Sequence, residues 1–177
     1  KADGQEPVRT LSPRPAQVSH FMNIIETALP GVLIFEPKVF GDARGFFVET
    51  FRAEVLAKAG IKHEFVQDNQ SLSRDTGTIR GLHYQAEPCS QGKLVRCLAG
   101  EIYDVAVDIR AGSETYGQWI AATLTAEGGE QLWMPPGFAH GFCTLTEGAE
   151  VAYKVTATYS AAHDRGIIYD DPDIGVT

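Results

Sequence analysis

Short apolar runs, separated by glycine and proline, follow one another through most of the chain. Runs typical of β-strands cover residues 31–35, 46–51, 64–68, 78–85, 93–98, 101–109, 118–124, 131–134, 141–145 and 149–158. One convincing helix, about two turns long, is predicted over residues 52–59, with Gly60 closing its C-terminal end. Many short strands with one or two short helices are typical of an all-β sandwich or barrel.

Residues 101–109 alternate most clearly between two faces of a strand. One face carries Tyr103, Val105, Val107 and Ile109, and the other carries Ile102, Asp104, Ala106 and Asp108. A face that mixes carboxylates with small apolar side chains is either a solvated outer surface or the lining of a polar pocket. We expect Asp108 to be solvated, and both alternatives stay open for Asp104.

The size and charge of the chain narrow the class of protein. Its 177 residues and 19.2 kDa fit a single domain. A formal net charge of −8 disfavours duplex nucleic acid as a partner, although a few local cations can still bind an anionic ligand. No apolar run is long enough to span a membrane. An odd number of cysteines (Cys89, Cys97 and Cys143) without paired spacing disfavours a disulfide framework, so we expect a cytoplasmic protein.

The first 21 residues differ from the rest of the chain. They combine several prolines with mixed polar residues and have no sustained period. We expect residues 1–21 to form a flexible extension and residues 22–177 to form one domain.

Two histidine-containing stretches resemble the paired motifs of the cupin superfamily, whose fold is a double-stranded β-helix, or jelly roll. The first stretch spans residues 80–85, and the second runs from Gly129 to His140. In metal-binding cupins the first motif supplies two histidines, in the pattern His-x-His, and a following glutamate. Here His83 matches the first histidine, Gln85 replaces the second, and no glutamate stands at the matching position. Because a neutral amide is a weak ligand for zinc or iron, we expect no metal. A metal-dependent oxygenase is therefore disfavoured.

The resemblance is closer to one family, that of the dTDP-4-dehydrorhamnose 3,5-epimerases. It covers the chain from about Met22 to the last residue. The similar blocks are residues 33–40, 42–47, 65–69, 80–85, 91–96, 136–142, 153–154 and 171–173. The resemblance implies a substrate of the dTDP-4-keto-6-deoxyglucose type, inverted at C3 and C5 in deoxysugar biosynthesis. Both hydrogens lie alpha to the C4 ketone, so the chemistry requires a base, an acid and positive charge near the enolate oxygen, and no cofactor.

The same resemblance assigns the catalytic groups. His83 matches the base that removes the proton. Tyr153 matches the acid that returns a proton from the opposite face, since a phenol holds its proton at neutral pH. Lys93 matches the residue that stabilises the enolate at O4. Without the motifs, a histidine, a tyrosine and a lysine in strands would be taken as ordinary structural residues.

The resemblance also assigns the substrate-binding residues. Arg44 and Arg80 match diphosphate-binding positions, where a guanidinium suits phosphate oxygens. Tyr159 matches a residue that stacks on thymine, and Phe47 matches part of the base-binding wall. Further substrate contacts are implied for His140, Glu49, Gln67, Asp68, Asn69 and Asp164. Strict alternation would point Arg80 and His83 to opposite faces of the strand, whereas the resemblance places both in the substrate pocket. We therefore predict a bulge near Gly81 that breaks the alternation.

Two further expectations concern the assembly and the C-terminus. In this family, the segment from Arg44 to Glu49 is expected to enter the neighbouring subunit's site, which implies a homodimer with composite pockets. The carboxylate that pairs with the base histidine is expected beyond Thr177, and we therefore expect a truncated chain. Two alternatives stay open: an epimerase acting at a single carbon, and a non-catalytic cupin that binds a sugar nucleotide.

Overall fold

A computed structural model describes residues 15–18 and 21–177, and their regular structure is almost entirely β. The single helix of this part, α1, is Ala53–Lys58. The strands are β1 Pro15–Val18, β2 Met22–Glu26, β3 Leu33–Pro37, β4 Val39–Asp42, β5 Gly45–Val48, β6 Gln67–Ser73, β7 Ile79–Gln85, β8 Lys93–Ala99, β9 Glu101–Asp108, β10 Trp119–Thr125, β11 Gln131–Met134, β12 Phe138–Thr144, β13 Ala149–Val155 and β14 Asp164–Gly166. Most of the predicted extension over residues 1–21 lies outside the described residues. Its described part includes β1, which pairs with β2 of the predicted domain.

The strands form two main sheets that face each other, which confirms the predicted jelly roll. The seven-stranded sheet has the order β1-β2-β3-β11-β8-β13-β6, and the five-stranded sheet has the order β10-β9-β12-β7-β14. Neighbours in both sheets that are distant in sequence pair antiparallel, such as β13 with β8 and β12 with β9. A separate hairpin of β4 and β5 extends from this sandwich.

The main core lies between the two sheets and is built from alternate residues of their strands. Val95 and Val151 come from the seven-stranded sheet, and Ile102, Leu124 and Phe138 come from the five-stranded sheet. Each of these side chains is at most 2% exposed. Burial of this apolar surface is the main force that holds the sheets together.

Helix α1 covers the outer face of the seven-stranded sheet. Its Val55 and Leu56 pack with Phe35, Leu94 and Trp133. The helix is one residue shorter at each end than predicted, and Gly60 follows it with a φ of 90°, as expected of a residue that ends a helix. None of the described residues belongs to a helix long and apolar enough to cross a bilayer.

A bulge at Gly81 confirms the predicted break in alternation along β7. The pairing of β7 with β12 matches His83 with His140, but its register shifts before it matches Arg80 with Phe142. Gly81 has a φ of 129°, and a Cβ there would lie 2.4 Å from the Cα of Gly141. Two glycines therefore let the strands approach closely, and the shift turns Arg80 and His83 to the same cavity.

The expectation that Asp108 is solvated was wrong. Its side chain is fully buried at the end of β9. The turn that follows folds back over it and supplies hydrogen bonds from Arg110, Ser113 and Thr115 at 2.6–2.9 Å. These bonds hold the pKa of the carboxyl well below its usual range despite the opposing effect of burial.

Candidate active site

A pocket of about 560 Å3 opens at one end of the sandwich, where polar residues replace the apolar core. It lies between β7, β12 and β14 of one sheet and β6, β8 and β13 of the other. The inward positions that form the core farther along these strands carry polar groups here: Lys93 precedes Val95, and Tyr153 follows Val151. Nine of the predicted site residues line this pocket: Gln67, Asn69, Arg80, His83, Lys93, His140, Tyr153, Tyr159 and Asp164.

His83 lies at the exposed mouth of the pocket, on β7. Partial burial lowers the pKa of its imidazole below the ordinary value, and the positive charge of Lys93 lowers it further, while Asp164 opposes the shift. The ring is therefore mostly neutral at neutral pH. A neutral imidazole has a free lone pair and can accept a proton.

Lys93 is almost fully buried at the start of β8, with 7% of its surface exposed. Its Nζ donates to the backbone carbonyl of His83 over 3.4 Å. Burial lowers its pKa to about 8, although Asp104 and Asp164 act in the opposite direction. The side chain is thus still largely cationic at neutral pH. A poorly solvated ammonium attracts a developing oxyanion more strongly than a hydrated one does.

Tyr153 reaches the pocket from the facing sheet, on β13. Its side chain is half-buried, and burial raises the pKa of the phenol, with the charge of Arg80 acting against the increase. The hydroxyl consequently keeps its proton across the neutral range. It can serve as a proton donor but not as a resting base.

His140 forms a buried pair with Asp104 at the back of the pocket. The Nε2–H of the ring donates to Oδ1 of Asp104 over 2.6 Å, and both side chains are at most 8% exposed. Asp104 is fully buried on the inward face of β9, which excludes the solvated surface; it lies behind the lining of the pocket, where it contacts His140. The bond fixes the tautomer and the orientation of His140. Sequence reasoning missed this pairing, and the only signal for it was that Asp104 shares a face with Ile102 and Ala106.

Further polar groups stand around the mouth of the pocket. Arg80 is anchored by bonds to Ser73 Oγ at 3.0 Å and to the carbonyl of Leu72 at 3.1 Å. The hydroxyl of Tyr159 donates to Asp164 Oδ2 over 3.4 Å, and the ring is 59% exposed. An exposed aromatic face and an anchored guanidinium in the same pocket suit a ligand that has both a flat ring and a phosphate.

Comparison with known proteins agrees with this arrangement. The sequence profile of the family described as dTDP-4-dehydrorhamnose 3,5-epimerase matches residues 26–177. The chain belongs to this family. It is 57% identical over 156 residues to the dTDP-4-dehydrorhamnose 3,5-epimerase of Shigella flexneri, and the match covers 88% of this chain and 86% of the relative.

Solved structures of the epimerase family have the same fold. An epimerase of Legionella pneumophila, in complex with dTDP-4-keto-L-rhamnose, is 50% identical and superposes with a TM-score of 0.85 over 88% of this chain and 82% of that one. The enzyme of Bacillus anthracis, with TDP and PPi bound, is 48% identical and has a TM-score of 0.85 over 88% of this chain and 89% of that one.

Four residues that the epimerase resemblance assigns to the substrate do not line this pocket. Asp68 points to the opposite face of β6 and pairs with Lys154 at 2.9 Å. Arg44 and Phe47 lie on the hairpin of β4 and β5, where Arg44 pairs with Asp42. Glu49 pairs with Arg52. Their roles as substrate contacts stay predictions.

Gln85 occupies the position at which metal-binding cupins have a histidine, and its amide is already engaged. Its Nε2 donates to the carbonyls of Cys89 at 2.7 Å and Thr158 at 3.2 Å, and its Oε1 accepts from the N–H of Ser160 at 2.6 Å. Among the residues that the structure describes, no group of three or more His, Cys, Asp or Glu side chains could hold a metal ion.

Proposed function

We propose that the chain catalyses cofactor-independent epimerisation of dTDP-4-keto-6-deoxyglucose at C3 and C5, the activity named for its family. One observation carries this proposal: His83, Lys93 and Tyr153 line a single pocket. The directions of their pKa shifts agree with a neutral imidazole, a largely cationic lysine and a protonated phenol at neutral pH. A neutral imidazole, a cation and a protonated phenol can supply the base, the positive charge near the enolate oxygen and the acid that inversion alpha to a ketone requires.

In the proposed mechanism, His83 removes the proton from the carbon next to the C4 ketone. The electron pair of that C–H bond moves toward O4, and the resulting enolate is stabilised by the ammonium of Lys93. Tyr153 then gives its proton to the carbon from the opposite face, and the enolate returns to the ketone. The imidazolium releases its proton to water at the exposed mouth of the pocket, and the phenolate of Tyr153 takes up a proton from water in the same open pocket, so that both groups return to their starting states. The same steps at the second carbon complete the reaction.

The nucleotide would bind at the mouth of the same pocket. Arg80 supplies positive charge for the diphosphate, and Tyr159 offers a ring on which thymine can stack. Gln67, Asn69, His140 and Asp164 also line the pocket and are proposed as further contacts with the substrate. The positive charges of Arg80 and Lys93 in this pocket would allow a protein with a net charge of −8 to hold a dianionic ligand.

The proposal predicts deuterium incorporation at both carbons when the protein is incubated with dTDP-4-keto-6-deoxyglucose in D2O. Each reversible removal of a proton exchanges that hydrogen with solvent, so NMR or mass spectrometry would report label at C3 and C5. Label at a single carbon would instead identify a single-position epimerase. Binding of dTDP without any label would contradict the proposal and favour a sugar-nucleotide-binding cupin.

We also propose a homodimer with composite pockets in the cytoplasm. Phe46 and Phe47, on the hairpin of β4 and β5, are 69% and 70% exposed, and an exposed pair of aromatic residues is typical of an interface. In such a dimer, Arg44 and Phe47 of one subunit would complete the neighbour's pocket. A reducing location is supported by three free thiols, those of Cys89, Cys97 and Cys143.

Mixed dimers test the composite pocket. Arg44→Ala and His83→Asn should each be nearly inactive alone, because each leaves every pocket of its homodimer incomplete. After equal amounts are mixed and subunits exchange, about half of the dimers are mixed, and each mixed dimer has one intact pocket out of two. About a quarter of the wild-type rate is therefore expected. No recovery, with mixed dimers demonstrated by mass spectrometry, would show that Arg44 acts within its own subunit.

A further inference from the structure

The loop that carries Tyr159 has no regular structure, yet its backbone is tightly held. It leaves β13 and crosses the mouth of the pocket over residues 156–160. Its ends are held by Gly92, which bonds to Thr156, and by His163, which bonds to Ser160. Between and at these ends, the side chains of Gln67, Gln85 and Gln91, all of which line the pocket, bind its backbone. We call these three residues the glutamine clamp.

Gln85 contributes most to the clamp. At the end of β7 it is 5% exposed. Its amide binds the loop on both sides of Tyr159, through the carbonyl of Thr158 and the N–H of Ser160, and also binds the carbonyl of Cys89. A buried amide can donate two hydrogen bonds and accept others at once, whereas a neutral imidazole donates only one. Gln85 is therefore suited to holding two carbonyls and an N–H together.

The other two glutamines hold the rest of the loop. Gln67 Oε1 accepts from the N–H of Tyr159 itself over 2.9 Å. Gln91 Nε2 donates to the carbonyl of Ala157 over 2.7 Å. Four consecutive loop residues, 157–160, are thus each bound through a backbone group to one of three side chains from β6, β7 or the turn before β8.

We infer that Gln85 is a positioning residue for nucleotide binding, which fixes the loop so that the ring of Tyr159 is held at the pocket mouth before the ligand arrives. The inference rests on the proposed function for its ligand, a thymine nucleotide that stacks on Tyr159. The physical reason is conformational entropy: a loop that must be ordered on binding weakens affinity, and a loop already ordered does not. Gln85 makes no contact with the reacting carbons in this scheme, so it affects binding rather than chemistry.

A double-mutant cycle on dTDP binding tests the inference. Gln85→Met keeps much of the volume of the side chain and removes its hydrogen bonds. Calorimetric titration with dTDP should show a Kd raised about 10-fold, on the order of what one base stacked on an aromatic ring contributes. Tyr159→Ala should raise the Kd by a similar factor. The double variant should bind no more weakly than Tyr159→Ala alone, because Gln85 acts through that ring.

Gln70→Met is the matched control, because Gln70 is also a glutamine on a strand, but it lies outside the pocket and bonds to Glu150 on the exposed face of β6. Its dTDP affinity and turnover should equal those of the wild type. For Gln85→Met, the KM of the sugar nucleotide should rise with kcat nearly unchanged, a division that general destabilisation would not produce. Should Gln85→Met fail to fold by circular dichroism, Gln91→Met enters the same cycle with the same criteria.

Three results would overturn the inference: an unchanged Kd in a folded clamp variant, additive losses with Tyr159→Ala, or a fall in kcat without a rise in KM. The cycle measures binding of dTDP alone. Absence of deuterium exchange in the wild type would therefore count against the proposed function and leave the result of the cycle standing.

Discussion

Replacing His83 with asparagine is expected to lower deuterium uptake at C3 and C5 by about 10²–10⁴-fold, the range that a positioned general base contributes. An amide has no lone pair basic enough to accept a proton from carbon, so the first step of both inversions fails. The affinity for dTDP should change little, because His83 is assigned to the sugar and not to the nucleotide. Mass spectrometry of the recovered substrate would measure the label, and titration with dTDP would measure binding.

His63→Asn provides the control for this substitution. His63 is also exposed, but it lies outside the pocket, with its ring 6.1 Å from that of Trp133. Its rate of exchange should match that of the wild type. Because substitutions at exposed positions usually change the free energy of unfolding by less than about 0.5 kcal/mol, both variants should melt near the wild-type temperature. Wild-type exchange in His83→Asn would remove this residue from the mechanism.

Replacing Tyr153 with phenylalanine is expected to separate exchange from inversion. His83 can still remove the proton, exchange it with D2O at the mouth of the pocket and return a deuteron to the same face of the carbon. The substrate should thus gain label without changing configuration, while formation of the inverted product falls by about 10²–10⁴-fold. NMR coupling constants of the hexose ring distinguish labelled substrate from labelled epimer in the same sample.

Tyr116→Phe is the matched control, because Tyr116 is 63% exposed and lies outside the pocket. It should leave both exchange and inversion unchanged. Two results for Tyr153→Phe would contradict its assignment as the acid: inversion at the wild-type rate, or equal loss of exchange and inversion. The second result would mean that the phenol is needed before the enolate forms.

The strands could be predicted wherever one face meets the apolar core. Residues 131–134 form a strand with the predicted bounds, and β9 differs from its prediction by one residue. The prediction over 64–68 was wrong for most of its length, because the strand is Gln67–Ser73. That strand turns Gln67, Asn69 and Ser71 to the pocket, so its inward face is polar and the hydrophobic period disappears. Periodicity fails where a strand lines a binding site.

The candidate site could be predicted only through family resemblance, and only in part. Nothing in the local sequence distinguishes Lys93 from a solvated lysine, since its burial depends on strands that lie far away in the chain. The pairing of Asp104 with His140 and the contacts of Gln85 with residues 158 and 160 join positions 36 to 75 residues apart. Such contacts are set by how the sheets fold together, and a single sequence does not record them.

The close approach of Gly81 and Gly141 has a consequence for the two imidazoles. A Cβ at Gly81 would lie 2.7 Å from the carbonyl oxygen of His140, and one at Gly141 would lie 2.9 Å from that of Arg80. The distance between β7 and β12, which carry His83 and His140, is consequently set by direct contact between their backbones. A side chain at either glycine would force the two strands apart. The spacing of the two imidazoles therefore depends on both positions having no Cβ.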